Sequence, residues 1–69
     1  MEKPIERIVD AYVRLKNHHA LEDLMKHRRR IAVDLAARRD FDVSLPLGQI
    51  NDEIAVIEAG MQKLQVAER

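Results

Sequence analysis

The chain has 69 residues, with 12 lysines and arginines set against 12 aspartates and glutamates, no cysteine, no tryptophan, one tyrosine and one phenylalanine. Such a length allows a single domain, residues 1–69, which buries only about 60% of its unfolded surface. The missing cysteines exclude disulfide and thiolate–zinc staples, the zero net charge argues against a grip on nucleic acid or an anionic membrane, and the few aromatic rings leave no platform for stacked bases.

The N-terminal stretch MEKPIERIV has no apolar signal segment, and no apolar run approaches the ~20 residues of a membrane span. A cytoplasmic protein with no membrane segment is the expectation. Pro4 suits the first turn of a helix, where its missing N–H costs nothing, and Glu6 complements the positive end of that helix. From Ile5 to Arg39 the residues are mostly good helix formers, with no glycine. Two apolar stripes lie within this stretch: Ile5, Ile8, Val9, Tyr12 and Leu15, then Leu21, Leu24, Met25, Ile31, Ala32 and Leu35. At about 100° per residue the second is rotated by roughly 130° from the first. A straight helix cannot turn both toward one neighbour. Either the helix breaks near Asn17-His18-His19, giving a three-helix unit, or its halves face different partners. Because those three residues include neither glycine nor proline, one continuous helix over residues 4–39 is predicted. Its N-terminal half is then free to meet a second chain.

Residues 40–46 interrupt the pattern. Leu45 precedes Pro46 and is biased away from helical backbone, and Ser44 is a candidate N-cap. A second helix follows, residues 46–66. Leu47, Ile50, Ile54, Ile57, Met61 and Leu64 alternate spacings of three and four along it, an unbroken seam for the core or for an oligomer. Gly60 and Ala67 flank the seam and would let another helix come close. The predicted fold is therefore all-α: a helical hairpin, residues 4–39 and 46–66, closed into a four-helix bundle as a homodimer. Oligomerisation is the staple left to a chain of this size.

Few residues suggest chemistry. Lys26-His27-Arg28-Arg29-Arg30 is the most basic stretch, but a helix spreads five consecutive residues round its axis. The spacings Glu22–Lys26, Asp23–His27, Arg30–Asp34 and Asp34–Arg38 fit ordinary surface ion pairs, worth about 0.3–0.5 kcal/mol each. Arg28 and Arg39 differ, because they fall on the apolar stripe. Such an arginine must snorkel, pair with an acid such as Asp52, Glu53 or Glu58, or bind an anion. His19, Asp23 and His27 share a face at i, i+4 and i+8 and are the candidate metal ligands, although a tetrahedron would need further donors. Ser44 is the only serine, without a base beside it in the sequence, and there is no glycine-rich phosphate loop.

Residues 24–53, LMKHRRRIAVDLAARRDFDVSLPLGQINDE, resemble the middle of the all-helical AroQ-type chorismate mutases. Arg28 matches the family's first arginine of this region, Arg39 its later cation, Pro46-Leu47 the end of the loop, and Glu53 the glutamate of the following helix. The resemblance implies a site for a dicarboxylate held by Arg28 and Arg39, with Glu53 beside them. Gln49 and Asp52 stand where the family has aspartate and arginine, and Ala11 where it has its N-terminal arginine. The resemblance thus implies a retained helical element and anion binding rather than a working mutase. From the residues alone the expected function is a non-catalytic interaction or regulatory module, a homodimer with a possible protein partner, needing no cofactor. The alternatives are a chorismate-mutase-like anion-binding protein and an RNA-binding hairpin dimer, though the charge balance makes nucleic acid an unexpected partner.

Overall fold

The computed structural model describes residues 3–38 and 42–67, with the side chains of residues 66 and 67 outside the description. It is all-helical, with no strand among the described residues: α1 Pro4–Arg14, α2 His18–Ala36 and α3 Ser44–Ala67. The continuous helix expected over residues 4–39 is not formed. It is two helices, and the molecule is a three-helix unit rather than a hairpin.

The break falls at Leu15-Lys16-Asn17. Lys16 takes the left-handed conformation, φ 54°. Its N–H donates to the Val13 carbonyl at 3.1 Å, and the Asn17 N–H donates to the Tyr12 carbonyl at 2.9 Å. This pair of bonds is a Schellman ending, which satisfies the last carbonyls of α1. The Asn17 side chain then caps α2 by accepting from the Ala20 N–H at 3.1 Å. One residue thus closes a helix with its backbone and opens the next with its amide oxygen. Neither glycine nor proline is needed, because asparagine is a good cap and a single left-handed lysine can be borne where both helix ends are satisfied.

Pro4 occupies the first turn of α1 with Glu6 beside it, as the sequence reading has it. α3 begins two residues before the expected position 46. The capping oxygen at its start is not that of Ser44. Asp42 Oδ1 accepts from the Ser44 N–H at 3.0 Å and from the Ser44 hydroxyl at 2.5 Å. Leu45 is helical despite preceding Pro46, which sits in the first turn, where a missing N–H breaks no ladder.

α2 and α3 pack as an antiparallel pair, and α1 folds back along them. The core is Ile5 and Val9 from α1, Leu21 and Met25 from α2, and Ile57 and Leu64 from α3, with Tyr12, Val13, Leu24, Ile54, Val56 and Met61 packed round it. α1 crosses α3 at the buried Gly60. A methyl built there would overlap the Val9 Cγ1 methyl and meet Val13 Cγ2 at 3.4 Å. The small residue does admit another helix, and that helix is the chain's own α1. The N-terminal stripe expected to await a second chain is therefore satisfied internally in part, through Ile5 and Val9, while Ile8 stays 41% and Leu15 72% exposed.

Candidate functional site

Arg28 lies on the α2 face that looks toward α3. Its Nε donates to Glu53 Oε1 at 2.7 Å, with the side chains 19% and 28% exposed. The pair joins the two long helices partway along their length. Arg28 Nη1 also lies 2.6 Å from His27 Nδ1, which accepts through its ring lone pair when the imidazole carries its proton on Nε2. On α1, just before the first turn, Lys3 Nζ approaches Asp52 Oδ2 at 3.5 Å, an exposed pair that tethers the start of α1 to α3.

These two pairs border a concavity of about 410 Å³, lined by Lys3, Pro4, Ile5, Ile8, Arg28, Gln49, Asp52 and Glu53. It lies in the notch where α1 begins. Four of the positions in the resembling segment, Arg28, Gln49, Asp52 and Glu53, meet here. Arg39, the other arginine of the expected anion site, lies outside the described residues. The lining holds two cations and two carboxylates, each cation within ion-pair distance of a carboxylate. An anion entering the notch must therefore displace Glu53 from Arg28 or Asp52 from Lys3, against an apolar wall of Pro4, Ile5 and Ile8. That wall could not be seen from the sequence, because it exists only once α1 folds back. The available signals were the rotation between the stripes and the Asn17–Ala20 cap spacing.

The metal candidates do not gather. His19 Nε2 and Asp23 Oδ2 are 3.5 Å apart on an exposed face, whereas His27 turns its Nδ1 to Arg28. Asp23 thus pairs with His19 rather than with His27. No three histidine, cysteine, aspartate or glutamate side chains among the described residues are grouped so as to hold a metal ion. Ser44 is tied to Asp42 at the head of α3, away from the notch. Of the seam residues, Ile57 and Leu64 are buried, Ile54 and Met61 pack beside them, and Leu47 and Ile50 are half-buried toward the head of α3. No helix among the described residues is long and apolar enough to cross a membrane. Comparison with family models, with characterised proteins and with solved structures finds no match to the chain.

Proposed function

We propose that this chain is a non-catalytic interaction module that works by self-association as a homodimer. The observation that carries the reading is the thinness of the core: among the described residues the buried apolar side chains are Ile5, Val9, Leu21, Met25, Ile57 and Leu64, and a chain this small without a disulfide commonly gains its remaining stability from a second subunit. The shape agrees. A radius of gyration of 13.3 Å and extents of 45 × 25 × 15 Å describe a thin, elongated body, where compact packing would give a radius of about 11 Å. The non-catalytic part of the reading is supported by the notch, whose charged groups already hold each other. Sedimentation equilibrium at micromolar concentration is expected to give twice the 8.0 kDa chain mass. A single-chain mass together with a cooperative melt would sink the reading.

A further inference from the structure

The connection between α1 and α2 is short, Leu15-Lys16-Asn17, and its middle residue is strained. Lys16 holds φ 54°, a left-handed conformation that the Cβ of an L-residue opposes and that glycine adopts freely. No glycine or proline lies between Ile5 and Ala36, so the same residues can also run on as one helix, in which the backbone groups of the turn find partners four residues away. Short turns under strain are where a chain exchanges an end element with a second copy. α1 is such an element. It is seated on α3, where Val9 lies over Gly60 and Lys3 meets Asp52, whereas α2 and α3 are joined to each other directly by Arg28 and Glu53.

Resting on the self-association proposed above, we infer that the dimer forms by exchange of α1. The turn straightens, α1 and α2 become one helix from Pro4 to Ala36, and α1 takes its seat on the α3 of a second copy. The seat itself names the occupant. Val9 fits because no Cβ stands at Gly60, and Lys3 finds a carboxylate at Asp52. An identical chain offers both, so the contact already made within one chain is remade between two, with no new surface chemistry. The stripes require that second copy. In a continuous helix the stripe of Ile5 and Val9 points roughly 130° away from that of Leu21 and Met25, so it cannot reach the α3 that packs on its own α2. The exchange is reciprocal: each copy gives one α1 and receives one, and the assembly closes at two. The straightened turns are where the two chains cross, and Leu15, 72% exposed in the single chain, stands at that crossing.

Isotope-mixed cross-linking of the full chain tests the exchange. Unlabelled and heavy-nitrogen-labelled chains are unfolded together in urea, refolded, and treated with a carbodiimide. This reagent joins an amine to a carboxylate without a spacer, which suits Lys3 and Asp52, whose charged atoms lie 3.5 Å apart. The expected result is a dimer by sedimentation whose Lys3–Asp52 linked peptides include pairs with one light and one heavy half. A dimer whose Lys3–Asp52 links are all light–light or heavy–heavy overturns the exchange and leaves self-association standing. A single-chain mass overturns both. Lys16→Gly gives a readout that does not depend on the link. Glycine favours the left-handed turn and disfavours a helix interior, at two turns in each dimer, so the variant should stay helical by far-ultraviolet dichroism while dimer affinity falls about tenfold or more. An unchanged affinity overturns the exchange, because a dimer that kept each α1 on its own chain would leave the turn as it is.

Discussion

Lys16 and Asp42 are single residues that each decide where a helix ends or begins. Lys16 holds φ 54°, a conformation that costs an L-residue roughly 1–2 kcal/mol and glycine almost nothing. Lys16→Gly should therefore stabilise the fold. Part of the gain is lost to the greater freedom of glycine in the unfolded chain, which leaves about 0.5–1 kcal/mol. The expected reading is a higher urea midpoint at unchanged slope; a lower midpoint would mean that the lysine side chain contributes something beyond its backbone. The Asp42 carboxyl is held below its ordinary value of 3.8, first by the Ser44 hydroxyl and then by the Ser44 N–H, against a small opposing effect of burial. A depressed carboxyl stabilises the fold above its unfolded pKa and loses that contribution as pH falls through the folded value. Asp42→Ala should thus lower stability at neutral pH and narrow its gap to the parent as the solution is taken below about pH 3.8. A gap constant down to the acid limit would show that the aspartate charge is not what starts α3.

At the scale of elements, α3 carries two glycines with opposite expectations. Gly48 is exposed, and a methyl there meets nothing within 4 Å, so Gly48→Ala should add about 0.5–1 kcal/mol from helix propensity alone. Gly60→Ala gains the same propensity but drives a methyl into Val9, and overpacking of this sort typically costs about 1–3 kcal/mol. Combining it with Val9→Ala should recover part of that loss, a non-additivity that a double-mutant cycle in urea would read directly. Additive effects would mean that α1 does not cross α3 at this point. The pattern of α3 was readable because its seam repeats without interruption from Leu47 to Leu64, and the structure extends it only to Ser44–Ala67. The end of α1 was not, since it rests on backbone bonds to Tyr12 and Val13 and on one asparagine oxygen rather than on a breaker residue. The turn of roughly 130° between the stripes is the sequence signal of that break, which a capping asparagine makes without a glycine. For the site, Arg28 was readable as an arginine on an apolar face that needs an acid. The Lys3–Asp52 pair was not, because positions 49 apart in sequence meet only through the fold-back of α1.

At the scale of the molecule, six buried core residues among those described leave little margin. Ile57 is fully buried at its centre, and Ile57→Ala should cost about 2–5 kcal/mol, enough to leave a substantial unfolded fraction. A thermal midpoint within a few degrees of the parent would show that this position is not core. For a self-associating chain the midpoint should also rise with protein concentration, because dimerisation draws on the folded state alone. A midpoint unchanged over a hundredfold dilution from high micromolar would mean that the monomer stands by itself.

The seat of Val9 over Gly60 also sets an order of detachment. α1 is the shortest helix, and α2 and α3 are also joined to each other directly by the Arg28–Glu53 pair, so α1 is the part expected to leave first. Amide hydrogens of α1 should then exchange by local opening, at a lower free energy than those of α3 near Ile57. The three-residue turn at Leu15–Asn17 keeps the departed helix close to its seat, so reclosure is fast and the vacated groove beside Gly60 is revealed only briefly.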